Sequence, residues 1–173
     1  MKKVALASAV VAALLMSGCS SKAPEVDMSA DSKQGSASTM GSSDSMMSAS
    51  DKLQQLISMV EGHVKNVYFD FDKFNIKSDM QSVVNMNASV FNHADAKNLT
   101  IKVEGNCDEW GSDEYNYALG LKRAKATKDA LVKQGVAADR ITVVSYGESN
   151  PVCTDKTKAC DAQNRRAEFK VLP

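Results

Sequence analysis

The chain has 173 residues, with 21 basic and 21 acidic side chains and a formal net charge of +0. That length allows one ordinary domain plus appendages. The balanced, scattered charge excludes the basic excess or clustered basic face expected of a nucleic-acid binder.

Lys2-Lys3 and the apolar run from Val4 to Met16 form a basic n-region and an h-region too short to span a bilayer as a helix. Residues 1–18 therefore read as a signal peptide. Leu15-Met16-Ser17-Gly18-Cys19 resembles the lipobox of bacterial lipoproteins, with Met16 where Leu is usual. The resemblance implies that Cys19 becomes the acylated N-terminus, and Ser20 rather than Asp after it implies sorting to the outer membrane, facing the periplasm. Two or three acyl chains, palmitate among them, hold stably because each buried methylene adds about 0.8 kcal/mol. Residues 19–50 are then mostly Ser, Ala, Gly, Asp and Met with no aromatic residue and no period, a composition that cannot order itself. Such a linker would have ends roughly 30 Å apart on average and reach about 100 Å when stretched.

Residues 51–173 carry the folded domain. Asp51 is expected to cap a helix ending near Gly62, with Leu53, Leu56, Ile57 and Val60 at helical spacing. Val67 to Ile76 alternates as a strand and then turns, which predicts Phe69 and Phe71 as core and sets Asp70 and Asp72 on one strand face. Ser78-Asp79-Met80-Gln81 reads as a capping box opening a helix through Phe91 and Ala94. Ile101 and Val103 alternate with Lys102 and Glu104 as a half-buried strand, and Gly105 ends the alternation. Ser112 then caps a helix whose apolar face is predicted to be Tyr117, Leu121, Ala124 and Leu131, with Asn116, Gly120 and Arg123 on a neighbouring stripe. Gly135 closes that helix, Ile141 to Gly147 is a strand, and Ala167 to Leu172 is the last one. The order βαβαβ plus a terminal strand indicates an α/β (α+β) two-layer sandwich, a mixed sheet with helices on one face.

Helical side chains lean toward the N-terminus, so Arg123 can reach back toward the loop that carries Asp108. One acid and one guanidinium flanking a depression suit a zwitterion: Asp108 accepts from an ammonium while Arg123 grips a carboxylate in a bidentate fork. The pair is expected to be exposed and worth at most about 1 kcal/mol to the fold, so alanine at either position should melt within a few degrees of the parent.

Gly105-Asn106-Cys107-Asp108-Glu109-Trp110-Gly111, then Tyr115-Asn116-Tyr117-Ala118-Leu119-Gly120-Leu121-Lys122-Arg123-Ala124, resembles the signature of the OmpA-like peptidoglycan-binding domain family. Gly147-Glu-Ser-Asn-Pro151 and Gln163-Asn164-Arg165-Arg166 match its closing motifs, and the stretch at Phe69-Asp70-Phe71-Asp72-Lys73 is similar to one beside the family's pocket. The resemblance implies that Asp108 and Arg123 hold the diaminopimelate of the peptidoglycan stem peptide. It further implies a pocket bordered by Asn116, Phe71, Asp72, Tyr115, Leu119 and one of Arg165 and Arg166. By alternation one of those two arginines points in and one out. This chain departs from the usual pattern with Asn106 in place of a His and Trp110 in place of an Arg. The family's Tol system, chiefly TolB, is the implied protein partner, with roles in envelope integrity and cell division.

No metal, cofactor or catalytic centre is expected. His63 and His93 are the only histidines and have no metal-site spacing. Cys107 lacks a supporting base motif and reads as buried and inert. A wall-processing amidase or glycosidase is the alternative function. It would need zinc held by His, or two carboxylates across a cleft. Cys153 and Cys160 share one loop of an exported chain and are predicted to form a disulfide, leaving Cys107 as a thiol.

Overall fold

A computed structural model describes residues 48–173. The expected signal peptide, Cys19 and nearly all of the expected linker lie outside the described residues.

Eight regular elements follow in chain order: α1 (Ala49–His63), β1 (Val67–Tyr68), α2 (Gln81–Phe91), β2 (Thr100–Asn106), α3 (Asp113–Lys133), β3 (Ile141–Gly147), α4 (Lys158–Asn164) and β4 (Arg166–Leu172). The sheet order is β1-β4-β2-β3, with β2 parallel to β3 and β4 antiparallel to both β1 and β2. The α/β two-layer reading is therefore correct. The parallel β2–β3 pair needs a crossover, which α3 supplies.

Several local expectations change. Helix α1 starts inside the segment read as linker because Ser48, not Asp51, is its cap. Ser48 Oγ accepts from Asp51 N at 3.1 Å, and Ser48 N donates to Asp51 Oδ2 at 3.2 Å. The Ser78 capping box does not form, since Gln81 Nε2 donates forward to Asn85 Oδ1 at 3.0 Å and a short 3₁₀ turn leads into α2 instead. Strand β1 is only two residues long: beyond Phe69 the chain turns, with Lys73 N donating to Asp70 O at 3.2 Å and Asp72 at φ 54. Asp70 and Asp72 thus share no strand face. Phe69 joins the core at 2% exposure, whereas Phe71 is 59% exposed. Helix α4 was read as loop; Thr157 caps it, with Oγ1 accepting from Cys160 N at 3.2 Å.

The apolar core lies between the sheet and the helices, where Val67, Val84, Phe91, Ile101, Val103, Leu131, Ile141 and Phe169 are buried. Helix α3 turns a different face to it than hydrophobicity suggests. Tyr117 and Leu121 are exposed, while Asn116, Leu119, Gly120, Arg123, Ala124, Thr127 and Leu131 are buried. The physical reason is a glycine pair: a Cβ on Gly105 of β2 would stand 1.8 Å from the Gly120 carbonyl oxygen, so backbone meets backbone and the polar stripe comes inward.

The Cys153–Cys160 disulfide is present with Cα atoms 5.3 Å apart. Closing a ring of eight residues removes about 2.5 kcal/mol of unfolded-chain entropy on the loop-closure model. Cys153→Ser with Cys160→Ser is expected to lower the melting temperature by roughly 10 °C. Melting at the parent temperature would show that the ring contributes nothing.

Candidate functional site

Three loops meet where β2 ends and α3 begins. Strand β2 delivers Asn106, Cys107 and Asp108, held by Cys107 N donating to Gly147 O at 2.7 Å. Ser112 caps α3 by accepting from Tyr115 N at 3.3 Å, which orients the Asn116 and Arg123 stripe toward those residues. The turn after β1 approaches from the other side and is tied to α3 by Tyr115 Oη donating to Asp72 Oδ1. That bond lifts the Tyr115 hydroxyl pKa above its ordinary value.

Arg123 is fully buried. Its Nε donates to Lys73 O at 2.9 Å, Nη1 to Asn106 O at 2.8 Å and Nη2 to Asp70 O at 3.3 Å. A guanidinium has five N–H groups, so one N–H on each terminal nitrogen remains unspent. Among the described residues no carboxylate forms an ion pair with it. Burial pulls its pKa down, Asp108 opposes that shift and Arg165 adds to it. Its guanidinium carbon also stands 5.4 Å from the centroid of the Phe69 ring.

Asp108 is 3% exposed and pairs with Arg165 rather than Arg123: Arg165 Nη1 donates to Asp108 Oδ2 at 2.9 Å and Arg165 Nε to Phe69 O at 3.1 Å. Asp108 Oδ1 takes no hydrogen bond from the described residues. Arg166 faces elsewhere, donating to Glu168 Oε2 at 2.7 Å and Asn150 O at 3.1 Å. Of the two candidate arginines, then, Arg165 stands beside Asp108 and Arg166 is a buried sheet residue. The expectation of an exposed Asp108–Arg123 ion pair is corrected: both residues are buried, and each finds other partners.

Asn116 is fully buried, with Nδ2 donating to Asp108 O at 3.3 Å and to the Glu148 carboxylate. Its Oδ1, like Asn106 Oδ1, has no hydrogen-bond partner among the described residues. Leu119 is buried, while Phe71, Asp72 and Tyr115 are exposed. Glu148 was missed as a site residue, although it lies within the quoted Gly147 to Pro151 motif. The cleft of about 260 Å³ nearest to Asp108 is lined by its sequence neighbours Cys107 and Glu109 and by Glu148, not by Asp108 itself. The group is a nearly closed charged recess of two guanidiniums, those of Arg123 and Arg165, and two carboxylates, those of Asp108 and Glu148, which can hold an anion and a cation side by side.

Cys107 is buried at 2% exposure, and its Sγ donates to Asn116 O at 3.3 Å. Desolvation pushes its pKa from 9.0 to about 11. The folded state therefore holds this proton more tightly than the unfolded chain does. The resulting stability is complete below about pH 9 and lost as pH rises through about 11. Iodoacetamide at pH 8 is expected to label Cys107 only in denaturant, and rapid native labelling would contradict the burial.

A family model described as the OmpA family matches residues 68–165. The chain is 36% identical over 170 residues to the peptidoglycan-associated lipoprotein of Agrobacterium fabrum, covering 96% of this chain and 89% of that protein. Among solved structures, the peptidoglycan-associated lipoprotein of Burkholderia pseudomallei is similar with a TM-score of 0.58 and 37% identity, covering 62% of this chain and 89% of that one. The C-terminal domain of Helicobacter pylori MotB is similar with a TM-score of 0.59 at 22% identity, over 64% of this chain and 85% of that one, a likeness of fold alone.

Proposed function

The chain belongs to the OmpA family, and from that membership and the geometry of the recess we propose that it is an outer-membrane lipoprotein that holds the membrane to peptidoglycan without catalysing turnover. The ligand group is the diaminopimelate of the stem peptide. The observation that carries this reading is Arg123, a buried guanidinium with two unspent N–H groups and no carboxylate of its own among the described residues. A buried cation without a counter-ion is costly unless something satisfies it. Three carbonyls hold the side chain in place, and a ligand carboxylate would complete its shell. Asp108 Oδ1 offers the matching acceptor for the ligand ammonium, with Arg165 fixing the other oxygen.

Binding rather than hydrolysis follows from the chemistry of the group. Guanidinium stays protonated near neutral pH and transfers no proton, so Arg123 and Arg165 serve to hold an anion rather than as general acid or base. Among the described residues there is no cluster of three or more His, Cys, Asp or Glu that would hold a metal ion.

The domain division proposed is a signal peptide over 1–18, a Cys19-anchored linker, and the wall-binding domain from Ser48 onward. The disulfide supports a periplasmic setting, since such bonds persist in oxidising compartments. TolB and other Tol proteins are inferred as partners on the recess side, on the strength of the family resemblance, with envelope integrity and cell division as the processes served. The test is co-sedimentation with purified sacculi and membranes. The parent chain should follow both, and Cys19→Ser should leave the membrane yet still follow sacculi. Release of muropeptides from the sacculi would favour the enzyme instead, and a Cys19→Ser chain that stays with membranes would remove the lipid anchor.

A further inference from the structure

Trp110, two residues beyond Asp108, is 58% exposed yet fixed: its Nε1–H donates to Asp161 Oδ2 at 3.0 Å. Asp161 lies in the first turn of α4, next to Cys160 of the disulfide and downstream of the Thr157 cap. Between Asp108 and Trp110, Glu109 pairs with Lys156 of the same disulfide-closed loop. The loop that carries Asp108 is therefore fastened at two points to the most covalently constrained part of the chain. The indole is held by its polar edge while much of its surface stays in water.

The cleft of about 260 Å³ adjoins it through Glu109 and Asp161, which line the cleft with Glu148, Thr154, Asp155 and Lys156 while the indole itself stands outside that lining. That volume is just under the range of pockets for drug-sized ligands, and it suits one ring rather than a folded peptide. The lining mixes carboxylates with a hydroxyl and an ammonium. Glu109 pairs with Lys156 and Asp161 is engaged by the indole, while Glu148, bonded to the Asn116 amide, and Asp155 are left as acceptors for a donor-rich ligand. A ligand with one apolar face and a rim that both donates and accepts hydrogen bonds matches this set, and a pyranose is such a ligand. Its axial C–H bonds carry slight positive charge and rest on the negative face of an aromatic ring. Its hydroxyls donate to carboxylates and accept from Lys156 or Thr154.

We infer that Trp110 is a sugar-stacking platform beside the Asp108–Arg123 recess, taking an amino sugar of the glycan strand from which the stem peptide hangs. The inference rests on the stem-peptide reading above. Diaminopimelate is the third residue of that peptide and the first is joined to the glycan, so about 10 Å of extended chain separates the two groups. The Trp110 Cα stands at most roughly 7 Å from that of Asp108, and its side chain extends further. The platform is thus within reach of the sugar when the recess holds the diaminopimelate.

Trp110 is the only tryptophan of the chain, which gives its fluorescence a single source. The full-length chain in detergent is titrated with a disaccharide tripeptide containing diaminopimelate and, separately, with the same tripeptide freed of its sugars. The sugar-bearing ligand should bind about tenfold more tightly and shift the Trp110 emission, while the bare tripeptide should leave the emission unchanged. Trp110→Ala should bind both ligands alike, at the parent's affinity for the bare tripeptide, and Trp110→Phe should recover part of the difference. Equal binding of both ligands by the parent overturns the platform, as does a Trp110→Ala chain weakened equally toward both, which would mark a merely structural side chain. If the parent binds neither ligand, the stem-peptide reading falls and this inference falls with it.

Discussion

Asp108→Asn is expected to keep its fold and to bind a diaminopimelate-containing stem peptide about 30- to 5,000-fold more weakly than the parent, the equivalent of about 2 to 5 kcal/mol. Asparagine preserves the shape of the side chain and one oxygen for Arg165 Nη1, so the loop stays in place. What disappears is the negative charge that meets the ligand ammonium in a site almost closed to water. Arg123 requires different handling. Its replacement by alanine would strip the donor from three carbonyls, those of Asp70, Lys73 and Asn106, and leave a void at a fully buried position. Arg123→Ala should therefore lose about 3 kcal/mol or more of stability, roughly 10 °C in melting temperature, on top of its loss of binding. Arg123→Lys keeps the charge but cannot bridge two loops and still present a planar fork, so it too should bind poorly. Titration calorimetry beside thermal melts separates the two effects. Parent-like affinity in Asp108→Asn would remove the proposed site.

The contrast between Asp108 and Arg123 marks how far the sequence alone could be read. Strand and helix order was legible because Ile101 to Glu104 alternate cleanly, Ile141 to Tyr146 is rich in strand-forming residues, and Ser112 and Gly135 bound α3 by local chemistry. The disulfide was legible from two cysteines seven residues apart in a chain whose first residues read as an export signal. The facing of α3 was not. Hydropathy ranks Tyr117 and Leu121 above Asn116 and Arg123, yet the helix buries the polar pair because close backbone approach, not apolar area, sets its rotation. Nor could spacing tell that Asp108 pairs with Arg165 across 57 positions, since that contact depends on where β4 begins in the sheet. Phe71 shows the same limit. Alternation made it core, but the turn at Asp72, with φ 54, breaks the strand before that alternation can count.

The glycine pair that sets α3 gives an equally large expected change in stability. A Cβ on Gly105 would stand 1.8 Å from Gly120 O and 2.6 Å from Gly120 C, both backbone atoms of a helix that cannot swing aside as a side chain would. One on Gly120 would meet Ser145 Oγ at 2.3 Å, and that hydroxyl donates to Tyr117 O at 2.7 Å. Overpacking commonly costs about 1 to 3 kcal/mol, and the backbone clash at Gly105 puts Gly105→Ala at or beyond the upper end. Gly120→Ala should fall lower, because its Cβ comes no nearer to backbone than 2.8 Å, at Gly105 O, and the Ser145 hydroxyl can rotate away at the expense of its bonds to Tyr117 O and from Gly147 N, each of about 1 kcal/mol. The substitution at Gly105 should also act on the recess. Moving α3 off β2 would carry Arg123 away from Asn106 O and so draw apart the two charges that a zwitterion must bridge. Gly105→Ala is thus expected to show both a fall of roughly 10 °C in melting temperature and weakened stem-peptide binding when assayed well below its melt. A Gly105→Ala chain that melts and binds like the parent would mean that α3 reaches its place by some contact other than this backbone approach.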